Sequence, residues 1–262
     1  MGDDAILLEA FLGHLGLQRQ PPDLAYLNVL VDGHQRRVPF ETLTKLIDYE
    51  RGHESGEFLP DIETYVNRIV TSGTGGTCWT LARGFHWLLS QLGFDEKYMI
   101  MEPGHVCLRV ELDQAYYADV GYAAPLFRAY PLNESFTVED VRCSFHYEVT
   151  DDGIVTRQTP GPVKRLITTP RDFKEFDPLI KDANQWTPDS FLTRLSIFSY
   201  LQGVPTGLIN GTLKRHLPEG LDERSLSHEE TLSWFVEKFG VDPDIYCQAG
   251  LIHSRWMRHH GL

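Results

Sequence analysis

The chain is expected to fold as an α+β protein, with helices first, strands second and a mixed tail. Two observations carry that expectation. Up to about residue 93 the apolar residues recur at helical spacing between turn residues, and from about residue 97 their period changes to two. At 262 residues and 42% hydrophobic content, the chain can bury a large core, as one big domain or two to three small ones.

Taken in order, "AILLEAFLGHLGL" has the pattern of an amphipathic helix ending near Gly16. "DLAYLNVLVDGHQRR" follows, with Asp23 at the N-cap and Leu24, Leu27, Leu30 and Val31 on one face. "LPDIETYVNRIVTSG" repeats the device. Pro60 and Asp61 start it, Ile62, Tyr65, Val66, Ile69 and Val70 are expected inside, and Gly73 stops it. "YMIME", "HVCLRVEL", "AYYADVGY" and "HYEVT...GIVTRQT" then alternate or run apolar, so residues 97–170 read as an antiparallel unit. In the tail, "LTRLSIFSYLQG" fits strand or helix, "GLINGTLKRHL" a strand or hairpin, and "HEETLSWFVEKFG" a helix with a glycine stop.

Charge narrows the function classes. Lysine plus arginine total 24 against 37 acidic residues, a net charge of -13, which disfavours non-specific binding to nucleic acid or anionic membranes. The N-terminus is acidic where a secretory signal is basic, and Ile6 stands where a myristoylation signal wants Ser or Thr. No apolar run approaches the roughly 18 residues of a membrane span. Cys78, Cys107, Cys143 and Cys247 form no close pair, which argues against a disulfide framework and against a zinc or other metal cluster. The expectation is a soluble, cytoplasmic protein.

"SGTGGTCWTLARGF" stands out. Cys78, Phe85 and Leu92 are seven apart, so the cysteine shares the buried face of a helix and sits in its first turn. There the free amide groups and the helix dipole favour a thiolate. Gly75 and Gly76 allow close approach of backbone or ligand. A small buried core residue is the plainer explanation, and free cysteine is common in that role.

A thiol nucleophile needs a base, and the base an orienting group. His14, His34, His53, His216, His228, His259 and His260 lie among polar or terminal residues and are expected to face solvent, while His86 is two helical turns from Cys78. His105 opens the strand "HVCLRVEL", and Asp119 sits between Ala118 and Val120, where a carboxylate is costly unless paired. A two-residue loop at Asp113–Gln114 sets Asp119 against Leu108, away from His105. A three-residue loop or a bulge brings it to the face of His105, Cys107 and Arg109. The sequence leaves both open.

With those three residues in view, the chain resembles the arylamine N-acetyltransferase family along nearly its whole length. "HQRRVPFETL" is similar to the family's His-x-x-x-x-Pro-Phe-Glu-Asn-Leu segment, and "GGTCWTLARGFHWLLSQLGF" to its Arg-Gly-Gly-x-Cys segment and following helix. "HVCLRV" resembles the catalytic His strand, and "ADVGY" with "AAPLFRAYPL" the Asp-Val-Gly-Phe segment. "NQWTPDSFLTRLSIF" and "LSWFVEKFGV" match later segments in the right order. The resemblance implies a helical bundle over 1–93, a β-barrel over 94–185 and an α/β lid over 186–262. It implies a Cys78–His105–Asp119 triad working by ping-pong transfer. Acetyl-CoA is then the co-substrate, no cofactor is permanently bound, and an arylamine or arylhydrazine is the acceptor. Phe40, Trp79 and Gly76 are candidate substrate-binding residues, and Lys214 and Arg215, in a small basic cluster, are candidates for CoA phosphates.

The chain departs from the family pattern at Thr74 for Arg, Thr80 for Glu, Ala82 for Asn, and Thr42 for the Asn of Pro-Phe-Glu-Asn-Leu. Loss of the Arg and the Glu together fits a pair that is buried, since either alone is an unpaired charge. Three further readings stand beside the acyltransferase. They are an amide synthase using a larger acyl group, a transglutaminase-like cysteine hydrolase, and a non-catalytic relative.

Overall fold

The computed structural model describes residues 2–262; Met1, part of the Met-Gly start, lies outside the described residues. Helices α1 (Asp3–His14) and α2 (Leu24–Arg37) form where the periodicity places them, and the Asp23 carboxylate caps α2 by accepting from the Tyr26 amide at 2.7 Å. A two-residue strand, β1 (Phe40–Glu41), and helix α3 (Leu43–Gly52) follow, neither of them expected. Helix α4 (Ile62–Ser72) is capped by Asp61, which accepts from the Thr64 amide at 2.7 Å, and α5 (Cys78–Leu92) begins on the cysteine itself. The inner faces merge into one core of Leu12, Leu27, Leu30, Val66, Phe85 and Leu88.

Two expectations on these helices are corrected. Val70 is 41% exposed, because α4 buries Tyr65, Val66 and Ile69 and the next residue turns outward. His34 is fully buried, its ring edge-on to Phe85 at 5.3 Å and its Nε2 3.3 Å from the Tyr65 hydroxyl. It continues the stripe of Leu27, Leu30 and Val31 by one helical turn.

The period-two region becomes β2 (Asp95–Glu102), β3 (His105–Glu111), β4 (Ala115–Ala118), β5 (Tyr130–Pro131), β6 (Phe136–Glu139), β7 (Ser144–Thr150), β8 (Gly153–Thr159) and β9 (Val163–Arg171). They form an eight-stranded sheet in the order β5-β4-β3-β2-β9-β8-β7-β6. Its two end strands curl together, with the rings of Tyr130 and Phe136 stacked 3.9 Å apart, so the antiparallel sheet is a nearly closed barrel. Alternate residues fill it, among them Met99, Met101, Cys107, Tyr117, Phe145 and Tyr147.

Helix α6 (Asp177–Asp182) leads to β10 (Ser196–Leu201), β11 (Val204–Ile209), β12 (Thr212–Leu217) and β13 (Gly220–Ser225), which resolves "LTRLSIFSYLQG" as a strand. The second sheet runs β1-β10-β11-β12-β13, so a strand from the helical region forms its edge. Helix α7 (His228–Ser233) continues through a π-helical turn at Trp234–Lys238, and helix α8 (Pro243–His260) packs on α3. Trp256 of α8 lies edge-on to Tyr49 of α3 at 5.2 Å. No helix among the described residues is long and apolar enough to cross a membrane.

Candidate active site

The glycines before Cys78 have a physical task. At Gly75 a side chain would overlap the Pro39 carbonyl, and Gly76 adopts φ 135°, a backbone that L side chains rarely take. The Gly76 carbonyl accepts from the Glu41 amide at 3.0 Å, and the Glu41 carboxylate accepts from the Gly75 amide at 3.3 Å. Strand β1 thus grips both peptides of the loop that delivers Cys78 to the N-terminus of α5. Thr77, at the N-cap, makes no side-chain hydrogen bond to the first turn. The amides there face the site with the dipole's positive end.

His105 opens β3, and the register beyond it decides what it meets. Glu111 pairs with Ala115 and Leu108 with Ala118, so the connection is the three residues Leu112, Asp113 and Gln114. That odd register puts Asp119 on the His105 side. His105 Nε2 lies 2.7 Å from Asp119 Oδ2, with both side chains buried. Cys78 is close enough to act on the ring, and Gly121, whose amide donates to Asp119, also abuts the Cys78 backbone. Burial works to depress the His105 pKa, but the Asp119 charge, its hydrogen bond and Cys78 outweigh it and raise the imidazole to about 9.

Around this trio the walls are close. A Cβ on Gly121 would stand 2.9 Å from Cys78 Cα, so the loop after Asp119 presses on the backbone of Cys78. Tyr122 sets its ring edge-on to His105 at 4.8 Å. Phe40 lines a narrow cavity with Gln35, Val120, Gly121, Tyr122 and Phe198. Trp79 is 3% exposed and turns into the core against Phe176, 5.5 Å between rings. Lys214 and Arg215 lie on β12, and each faces an acid across the strand pair. Lys214 is 3.2 Å from Glu223, and Arg215 is 3.9 Å from Asp222.

Several neighbours have no signal in the sequence. Lys45 is buried on α3 and donates to Asn184 Oδ1 at 2.7 Å; burial lowers its pKa to about 8, against the opposing pull of Cys78 and Asp48. Lys164 of β9 sits 5.1 Å over the Tyr122 ring, and burial lowers it too, against Cys78 and Asp119. Glu41 is readable only through its Pro-Phe-Glu motif. Its carboxyl is pushed up by burial and accepts from the Thr44 hydroxyl and amide and from Gly75. At the departures from the family pattern, Thr74 donates to the Arg68 carbonyl at 3.4 Å, and Thr80 sits beneath Gly76. The cation of that layer is Arg68, which meets Asp48 at 2.9 Å.

Comparison with known proteins agrees over almost the whole chain. The N-acetyltransferase family model matches residues 23–245. An arylamine N-acetyltransferase from Mycolicibacterium smegmatis is 24% identical, with 91% of this chain and 93% of that protein aligned. Among solved structures, the Nocardia farcinica arylamine N-acetyltransferase superposes with a TM-score of 0.75 at 26% identity, covering 96% of this chain and 97% of that one. The Mycobacterium marinum arylamine N-acetyltransferase in complex with CoA gives a TM-score of 0.78 at 17% identity, over 95% and 97% of the two chains. With the match reaching from α2 into α8, this chain belongs to the N-acetyltransferase family of enzymes.

Proposed function

We propose that the enzyme moves an acetyl group from acetyl-CoA to an arylamine or arylhydrazine through a thioester on Cys78. The observation that carries this reading is the buried His105–Asp119 pair, at 2.7 Å, beside a cysteine that opens helix α5. The sulfur, its proton on His105, attacks the thioester carbonyl, and the first-turn amides of α5 receive the oxyanion. Collapse breaks the bond to the CoA sulfur, which leaves with the His105 proton. The amine then attacks acetyl-Cys78, the now neutral His105 takes its proton, and collapse returns the acetamide product and the cysteine. Thiolate replaces thiolate in the first half, so little free energy is lost there.

The complex of the Mycobacterium marinum relative with CoA supports the choice of donor. Phe40 suits an aromatic acceptor, while Gly76 packs on Thr80 and serves the loop that carries Cys78. Trp79 serves the scaffold behind the nucleophile. Lys214 and Arg215 meet CoA phosphates only by exchanging Glu223 and Asp222 for them.

A covalent intermediate tests the reading. Incubated with acetyl-CoA and no amine, the protein should gain one acetyl group on Cys78 and release CoA in a stoichiometric burst; an aromatic amine should then discharge the label. Cys78→Ser should give neither. Label from a longer acyl-CoA alone would move the donor and favour the amide synthase. No label from any acyl-CoA in folded protein would sink the transferase.

A further inference from the structure

Tyr117 lies two residues before Asp119, so both side chains leave the chain on one face. It is fully buried in the barrel, its ring 5.3 Å from Tyr147 and 6.4 Å from Phe136. Its hydroxyl donates to Asp119 Oδ2 at 2.7 Å, the same oxygen that accepts from His105 Nε2 at 2.7 Å. The other oxygen, Oδ1, accepts from the Gly121 amide at 3.0 Å, and Gln35 donates to the Asp119 backbone carbonyl at 3.0 Å. We propose that Tyr117 is a positioning residue that divides Asp119 Oδ2 with His105 and so sets how tightly His105 holds its proton. The proposal rests on the roles of Cys78, His105 and Asp119 given above.

A carboxylate oxygen shared by two donors offers less electron density to each. Without the phenol, the His105 N–H would face an undivided acceptor, and its imidazolium form would gain stability. The two half-reactions feel this differently. Acylation starts from imidazolium, which already holds the proton that CoA carries away. Discharge needs neutral imidazole to take the proton of the amine. Tyr117 therefore keeps His105 able to return to the neutral form.

The other groups around the pair do not replace it. Cys78 faces His105 from α5, Cys107 lies on β3 with its thiol pushed up by burial, and Lys164 and Tyr122 approach from β9 and the loop after β4. Lys45 acts on Cys78 from α3. Among the described residues, only His105 and Tyr117 hydrogen-bond Oδ2. Burial and the Asp119 charge push the Tyr117 hydroxyl well up, so it remains a donor throughout the working pH range. A buried phenol needs some partner in any case. Tyr147, in the same barrel, finds one in the Leu132 carbonyl at 2.8 Å and serves as the comparison.

The test separates the two halves. Wild type, Tyr117→Phe and Tyr147→Phe are each labelled with acetyl-CoA, then discharged with an aromatic amine between about pH 6 and 10. Tyr117→Phe should label within about threefold of wild type. Its discharge at pH 7 should be roughly tenfold slower and recover at higher pH, the midpoint having moved up by about one unit, the tenfold expressed as a pKa. Tyr147→Phe should keep the wild-type midpoint. A 4-aminophenylalanine side chain at position 117, of the same shape and a weaker donor, should fall between, which guards against a packing defect in the Phe variant. An unshifted midpoint in Tyr117→Phe, or equal slowing of both halves at every pH, overturns the proposal while wild-type labelling leaves the thioester mechanism standing. Wild type that takes no label removes that mechanism and the proposal together.

Discussion

His34 and His105 are both buried, and their surroundings drive them in opposite directions. His34 packs on Phe85 and Phe11 and reaches the Tyr65 hydroxyl, so burial, helped by His14, lowers its pKa to about 3. His105 suffers the same burial, but the Asp119 carboxylate wins and lifts it to about 9. Linkage then gives two opposite limbs. A group depressed below its unfolded value of about 6.5 has its full effect above that pH and costs stability as pH falls, at up to about 1.4 kcal/mol per unit. His34, and His86 at about 4, supply that acid limb. The raised His105 stabilises fully below about 6.5 and loses its effect as pH rises through 9. Urea midpoints should therefore fall from pH 7 to 5 in wild type, and less steeply in His34→Gln. They should also fall from pH 7 to 10, and less so in Asp119→Asn. Unchanged slopes in those variants would assign the limbs to other groups. In the sequence, polar neighbours in "DGHQRR" obscured the apolar stripe that His34 continues. Cys78 and Asp119 were legible for the converse reason: a glycine approach and an apolar flank are costly settings that call for a purpose. Lys45, Lys164 and Tyr117 carry no such mark, because only the folded barrel and α3 bring them near the sulfur or its partners.

At the scale of elements, the site depends on two close approaches, β1 against the glycine loop and the loop after β4 against α5. The second is tested by Gly121→Ala. Its methyl group would lie 2.9 Å from Cys78 Cα and 3.1 Å from Cys78 Cβ, and backbone cannot swing aside as a long side chain can. Overpacking of this kind costs about 1–3 kcal/mol. A nucleophile displaced by a fraction of an ångström should acylate on the order of 100-fold more slowly. Gly250→Ala on α8, where the new methyl group meets no atom within 4 Å, should instead stabilise by up to about 1 kcal/mol and leave the burst intact. A burst from Gly121→Ala as fast as wild type would mean that this contact does not set the nucleophile. Element types were readable wherever caps and periods agreed, as at Asp23, Asp61 and the period-two strands. The β3–β4 register was not, because Leu112 can end a strand or begin a loop. Strand β1 is two residues long and gains its identity only from pairing with β10, whose partner residues lie 156 and 158 positions further on. Helix α8 was missed although Asp242 and Pro243 mark its start, since it buries only Tyr246, Ala249 and Ile252 and so shows a weak stripe.

For the whole molecule, the C-terminal sheet is stitched to the Cys78 loop through backbone. Phe40 pairs with Phe198, the Thr42 amide donates to the Ser196 carbonyl at 3.0 Å, and the Ser196 amide donates to the Thr42 hydroxyl at 2.9 Å. One residue before Thr42, the Glu41 amide holds Gly76. At the far side, Trp256 lies 6.2 Å from Trp186 and 5.2 Å from Tyr49, and its indole donates to Glu50 at 2.7 Å, which seats α8 on α3. A hinged cover would separate from the body before the body melts; this segment cannot leave without breaking β1 and uncovering α3. The expected outcome is one cooperative transition. In hydrogen exchange followed by mass spectrometry across a urea series, peptides from β10–β12 and α8 should lose protection at the same urea concentration as peptides from α4 and α5. Trp256→Ala removes a large half-buried ring and its hydrogen bond to Glu50, together about 3 kcal/mol. At 2–4 °C per kcal/mol for a chain of this size, it should lower the melting temperature by roughly 6–12 °C and shift both sets of peptides together. Loss of protection in β10–β12 and α8 alone, with α5 still closed and Cys78 still able to take an acetyl group, would show that the segment is a separable cover and that β1 is not its anchor.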